Sequence, residues 1–168
     1  MKKILLLDNN ILVYLLIIFK SGSNRELGKI LTHILHKTRA NAVWIPRCVK
    51  TEFLSVHRDR DRREKFLQKL ETGLKRKGIE LKECNIHNRT LINYLMKTFA
   101  KVDCGEADAH TQAESLSSTS PGRDIREVKF LTNDSAYLQW VSRRNLNFEI
   151  MDWNDVCREL QLNMGCRK

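Results

Sequence analysis

Two kinds of hydrophobic pattern alternate along this chain. Residues 4–7 are all Ile or Leu, as in a strand buried on both faces, whereas residues 25–38 carry their apolar side chains at helical spacing. The predicted strands are 4–7, 43–45, 79–82, 128–132 and 147–151, and the predicted helices are 10–19, 25–38, one from Pro46, 58–77, 90–99, 104–116, 135–144 and 153–160. Strands that alternate with helices predict a three-layer α/β/α fold with a central, mostly parallel sheet.

The length of 168 residues and the apolar content of 42% predict one compact domain with its own core. We expect this domain to cover residues 1–160 and residues 161–168 to form a C-terminal tail. A loop is predicted at 117–126, which is rich in Ser, Thr, Gly and Pro.

The first residues superficially resemble a signal peptide, because Lys2 and Lys3 precede an apolar run. That run is interrupted by Asp8, Asn9 and Asn10, which neither an export signal nor a membrane span would normally contain. The sequence therefore predicts a cytoplasmic protein without a membrane segment.

Positive charge is in clear excess, with 30 Lys and Arg against 20 Asp and Glu and a net charge of +10. Such an excess favours a polyanionic partner, either nucleic acid or an acidic protein segment. The simpler interpretation is a basic protein whose charge only keeps it soluble.

Five cysteines are present, an odd number without a C-x-x-C pair. A chain of this size does not need disulfides to fold, so we expect free thiols in a reducing compartment. Their spacing relative to the histidines does not fit a zinc site.

Four acidic residues stand where a strand is predicted to end or a helix to begin, namely Asp8, Glu52, Asp108 and Asp134. Ligands of open parallel sheets bind beyond the carboxyl ends of the strands, so these carboxylates can converge. Carboxylates in one cleft repel each other, and a hard divalent cation is the usual reason for such an arrangement. This pattern predicts a metal site.

Several of these acids also have a structural interpretation. Asp8 and Asp134 can cap the helices that follow them, and Asp103 with Glu106 has the form of a capping box. On a regular helix Asp108 lies about 200° from Glu106, so both cannot reach one metal. We expect Asp108 to be the ligand, on the interpretation that Gln112 and Glu114 mark the solvent-facing side of this helix.

Three segments and Glu52 together resemble the PIN-domain family, which includes the ribonuclease toxins of toxin–antitoxin pairs. The segments are D-N-N-I-L-V-Y at 8–14, G-E-A-D-A at 105–109 and T-N-D at 132–134. The resemblance runs from about residue 3 to about residue 155. It implies a PIN-like nuclease domain in which Asp8, Glu52, Asp108 and Asp134 are the catalytic, metal-binding quartet. Asn10 and Thr132 would support them, and Glu106 is an alternative to Asp108.

The resemblance implies an endoribonuclease that uses Mg²⁺ or Mn²⁺ to activate water. RNA is then the expected partner. A cognate antitoxin protein and self-association are also compatible with the resemblance. The basic residues that we expect to follow the RNA backbone are Arg58, Arg62, Arg63, Lys75, Arg76 and Lys77. A non-catalytic module that binds RNA or protein and a structure-specific DNA nuclease remain alternatives. A phosphatase with Asp8 as nucleophile is disfavoured, because position 10 is Asn rather than an acid.

Overall fold

A computed structural model describes residues 1–21, 24–84, 89–98, 104–118 and 126–167. Within these ranges the strands are β1 (Lys2–Leu7), β2 (Ala42–Pro46), β3 (Glu80–Cys84), β4 (Arg126–Thr132) and β5 (Glu149–Asp152). The helices are α1 (Asn9–Lys20), α2 (Asn24–Thr38), α3 (Arg47–Leu54), α4 (Arg60–Arg76), α5 (Arg89–Thr98), α6 (Cys104–Ser117), α7 (Ser135–Val141) and α8 (Trp153–Leu160), with a 3-10 turn at His57–Asp59. Asp103 and most of the predicted loop at 117–126 lie outside the described residues.

The five strands form one sheet in the order β3-β2-β1-β4-β5, and every neighbouring pair is parallel. Chain connections run from β1 towards β3 on one side and from β4 to β5 on the other. The order therefore reverses between β1 and β4, which are paired along their length from Lys2 with Arg126 to Leu7 with Leu131. This confirms the predicted three-layer α/β/α architecture.

Both faces of the sheet are covered, and the apolar residues 4–7 of the central strand β1 contribute to both. Leu5 and Leu7 pack with α1, α2, α3, α4 and α8 on one face. Ile4 and Leu6 pack with α5, α6 and α7 on the other, where Phe130 and Tyr137 are fully buried. Successive side chains of a strand point to opposite faces, so one apolar run supplies both cores.

Helix α6 is buried around nearly its whole circumference. Every residue from Gly105 to Ala113 is buried, including Asp108 and Gln112, both at 0% exposure. The expectation that Gln112 marks the solvent-facing side of this helix is therefore wrong. Its polar side chains are inside the protein because they bind each other and the neighbouring elements.

Residues 161–167, which we expected to be a tail, are held against the domain. The indole of Trp153 donates to the Met164 carbonyl (2.8 Å), and Asn133 Nδ2 donates to the Gly165 carbonyl (2.7 Å). Gly165 has a φ of +67° and leaves no room for a side chain, since an added Cβ would lie 2.3 Å from the Tyr14 ring. A Cys157–Cys166 disulfide closes this segment, so the expectation of five free thiols is also wrong.

A search of the described residues finds no helix that is both long and apolar enough to span a membrane.

Candidate active site

Two of the predicted acids, Asp8 and Asp134, lie where the strand order reverses, at the carboxyl ends of β1 and β4. Asp8 follows the last residue of β1, and Thr132 is the last residue of the neighbouring β4. The Asp8 N–H donates to the Leu131 carbonyl (3.1 Å), which extends the pairing of the two strands to this point. In open parallel sheets the crevice beyond such a reversal is the usual place of ligand binding.

Asp8 is fixed by hydrogen bonds to both carboxylate oxygens. Its Oδ1 accepts from the Asn9 N–H (2.7 Å), which makes it the N-cap of α1, and its Oδ2 accepts from Thr132 Oγ1 (2.7 Å). The side chain is 1% exposed. The capping interpretation is thus correct for Asp8, and burial next to β4 is an additional feature that capping does not require.

Thr132 connects Asp8 to Asp134. Its hydroxyl donates to Asp8 and accepts the Asp134 N–H (3.2 Å), so one side chain fixes both positions. Asp134 is half-buried and caps α7 by accepting from the Tyr137 N–H (2.7 Å). Thr132, which was predicted as a supporting residue, is therefore in direct contact with Asp8.

Glu52 joins this group through Asn9 rather than through the predicted Asn10. Asn9 Nδ2 donates to Glu52 Oε1 (3.3 Å), and Glu52 itself is exposed on α3. Asn10 is half-buried on the first turn of α1. The oxygen of the same side-chain amide, Asn9 Oδ1, is buried and has no hydrogen-bond partner among the described residues.

Asp108 lies on the side of α6 that faces the beginning of α3. Its Oδ2 accepts from the Cys48 N–H (3.0 Å) and its Oδ1 accepts from Gln112 Nε2 (3.0 Å). The first N–H groups of a helix have no partner within the helix, and a carboxylate at this position is favoured by the helix dipole. Asp108 thus has the surroundings of a buried cap for α3.

Glu106 lies on the side of α6 that faces β4 and α7. It is 4% exposed, and its charge, together with those of Asp8 and Glu114, acts on the Tyr137 hydroxyl. Burial is the main reason that the pKa of Tyr137 is raised well above its usual value, and these three carboxylates raise it further. Asp8 and Glu106 therefore both raise the pKa of the same phenol, and Glu106 precedes His110 by one helical turn, on the side of α6 away from Asp108.

A buried chain of hydrogen bonds continues from this phenol. His110 Nδ1 lies 2.8 Å from the Tyr137 hydroxyl, and His110 Nε2 lies 3.0 Å from Glu114 Oε1. Burial lowers the pKa of His110 despite the opposing effect of Glu114, so the ring is neutral near pH 7. The consistent assignment is that the phenol donates to Nδ1 and that the Nε2–H donates to Glu114.

The donor set of the site consists of oxygen atoms, which suits Mg²⁺ or Mn²⁺. The unpaired Asn9 Oδ1 is a carbonyl oxygen next to Asp8 and Glu52, and it fits a role as a ligand or as an acceptor for an ion's water. Among the described residues no group of three or more His, Cys, Asp or Glu is arranged to hold a metal. Mg²⁺ commonly keeps several of its waters and takes one or two carboxylates from the protein.

The basic residues expected to bind RNA are spread along α4, whose 17 residues span roughly 25 Å. Arg58 and Arg62 are exposed near its beginning, whereas Lys75, Arg76 and Lys77 are exposed near its end, just before β3 starts at the amino edge of the sheet. These last three are therefore at the edge of the sheet opposite the carboxylates.

Arg63, which was expected to bind RNA, instead stabilises the fold through contacts with Phe53 and Asp59. Its guanidinium donates to the Phe53 carbonyl (2.8 Å), lies 4.8 Å from the Phe53 ring and pairs with Asp59.

Sequence reasoning missed Asn9, the His110–Tyr137 pair and Arg167 near the C-terminus. Arg167 pairs with Asp152 and donates to the Asn133 carbonyl (3.2 Å). The spacing of Glu106, His110 and Glu114, four residues apart each time, was the available signal, because such residues share one side of a helix. The Arg167 contact is not visible in any local pattern.

Comparison with models of protein families, with curated proteins and with solved structures finds no match to this chain.

Proposed function

We propose that this protein is a PIN-like, Mg²⁺- or Mn²⁺-dependent endoribonuclease that hydrolyses RNA phosphodiester bonds. The observation that carries the proposal is the buried Asp8 at the reversal of strand order, bonded to Thr132 and followed by Asn9 and its link to Glu52. A site of oxygen donors in a chain of net charge +10 suits a phosphate-containing polyanion.

In this proposal Asp8 and Glu106 would hold the ion, and Asp134, Glu52 and Asn9 would bind its waters. Bound there, the ion supplies a Lewis acid that activates water and neutralises charge on the phosphate. Thr132 keeps Asp8 and Asp134 in fixed orientations by using its hydroxyl as donor to one and acceptor to the other. Such preorganisation reduces the rearrangement needed when charge develops on the phosphate.

Glu106 replaces Asp108 in this proposal for two reasons. Both oxygens of Asp108 accept hydrogen bonds from groups on the α3 side of α6, namely the Cys48 N–H and the Gln112 amide. Glu106, in contrast, shares the surroundings of Tyr137 with Asp8. The sequence already offered Glu106 as the alternative.

The carboxylate site is tested with Asp8→Asn. We expect the purified protein to cleave single-stranded RNA with Mg²⁺ or Mn²⁺ and to stop when the metal is chelated. Asp8→Asn should lower the cleavage rate by about 10²-fold or more while circular dichroism stays unchanged. Asp61→Asn is the matched control, because Asp61 is an exposed aspartate in the first turn of α4.

Three outcomes would point elsewhere. Metal-independent cleavage, or full activity of Asp8→Asn at saturating metal, would contradict the assignment of Asp8. Cleavage of DNA in preference to RNA would favour the DNA nuclease. RNA binding without cleavage, unaffected by Asp8→Asn, would favour the non-catalytic module.

A further inference from the structure

Two cysteines that are distant in sequence meet at the first turns of α3 and α6. Cys104 Sγ donates to Cys48 Sγ at a distance of 2.9 Å, and 56 positions separate the two residues. Cys104 is exposed at the start of α6, and Cys48 is half-buried on the first turn of α3. A disulfide has an S–S distance of about 2.05 Å, so closure needs an approach of only about 0.9 Å.

The remaining cysteines are arranged differently. Cys157 and Cys166 already form a disulfide. Cys84 is 2% exposed, and its thiol donates to Gln112 Oε1 (3.0 Å). The odd number of cysteines thus resolves into one disulfide, one pair in contact and one buried single thiol.

We propose that Cys48 and Cys104 are a reversible dithiol–disulfide site that low-molecular-weight disulfides such as oxidised glutathione oxidise. The exposed Cys104 thiolate attacks one sulfur of the oxidised glutathione and releases one glutathione thiolate. Cys48 then attacks the Cys104 sulfur of this mixed disulfide and releases the second. Two electrons pass from the cysteines to glutathione, the two thiol protons go to its thiolates, and the products are one protein disulfide and two glutathione molecules.

The resulting bond would tie the first turns of α3 and α6 together. Cys48 also donates its N–H to Asp108, so the bond reinforces a contact that already joins the two helices. It closes a much longer loop than the Cys157–Cys166 bond, whose partners are 9 positions apart. A longer loop restricts the unfolded chain more, so oxidation should raise the melting temperature by at least about 5 °C.

The test uses the full chain and does not depend on nuclease activity. The protein is reduced with dithiothreitol, desalted and incubated with oxidised glutathione, and free thiols are then alkylated before peptide mapping. We expect a peptide that links Cys48 to Cys104, loss of two hydrogens for this bond and alkylation of Cys84 only after denaturation. Cys48→Ser should instead accumulate glutathione on Cys104 and show only the smaller increase in melting temperature that re-formation of the Cys157–Cys166 disulfide gives.

Two results would overturn the proposal. One is a stable glutathione adduct on Cys104 of the natural chain while Cys48 remains alkylatable. The other is a Cys48–Cys104 peptide that forms equally well after the protein has been unfolded in denaturant, since the folded geometry would then not be its cause.

Discussion

The two polar sides of α6 differ in what surrounds them, although both are buried. On one side, Asp108 accepts from the Cys48 N–H and from Gln112, which in turn accepts from Cys84. On the other side, Glu106 lies near Tyr137 together with Asp8, and His110 links the same phenol to Glu114. The first side is completed by backbone and neutral groups, whereas the second collects several carboxylates.

The difference between the two sides distinguishes a carboxylate with a structural role from one with a proposed functional role on the same helix. A buried carboxylate that meets the N–H groups of a helix start is stabilised where it stands. Carboxylates near each other are destabilised unless a cation joins them. In the proposed function the stabilising role therefore belongs to Asp108 and the metal-binding role to Glu106 and Asp8.

The largest effect on stability is expected from Asp108→Ala. It leaves the half-buried Cys48 N–H without its acceptor and removes a favourable charge at the start of α3. The expected loss is about 2–3 kcal/mol of unfolding free energy, measured by urea denaturation. Asp61→Ala is the control, because Asp61 is exposed in the first turn of α4, and it should cost less than about 1 kcal/mol. Equal losses in the two variants would remove the structural role assigned to Asp108.

A smaller effect is expected from the pH dependence that His110 contributes. Because burial lowers the pKa of His110 in the folded protein, the unfolded chain takes up a proton more readily. This contribution to stability is complete above the unfolded pKa of about 6.5 and is lost as the pH falls below it. We expect His110→Gln to show a smaller decrease in unfolding free energy than the natural chain between about pH 7.5 and pH 5.5. His57→Gln, at an exposed position, should retain the full decrease, and identical slopes for all three proteins would contradict this account.

The fold was largely predictable because apolar periodicity determines which elements form. The strand predicted at 128–132 is Arg126–Thr132, and the helix predicted at 153–160 has those bounds. Strand order was not predictable, because pairing between β1 and β4 joins residues more than a hundred positions apart.

The site was predictable only in part. Asp8 directly follows the apolar run at 4–7 and Thr132 ends the strand predicted at 128–132, so their position at the carboxyl edge can be read locally. The partner of Asp108 is Cys48, 60 positions away, and only the contact between α3 and α6 reveals it. Tertiary packing likewise determines the Cys157–Cys166 bond and the contact of Glu52 with Asn9 rather than with the predicted Asn10.

The central claim is that Glu106, and not Asp108, belongs with Asp8 at the metal. The most direct measurement is Mn²⁺ affinity by calorimetry in Glu106→Gln and Asp108→Asn, with RNA cleavage measured on the same samples. We expect Glu106→Gln to lower Mn²⁺ affinity and RNA cleavage by about 10²-fold at nearly unchanged melting temperature. Asp108→Asn should retain most of both and melt at a lower temperature. Loss of Mn²⁺ affinity in Asp108→Asn, with affinity retained in Glu106→Gln, would contradict it.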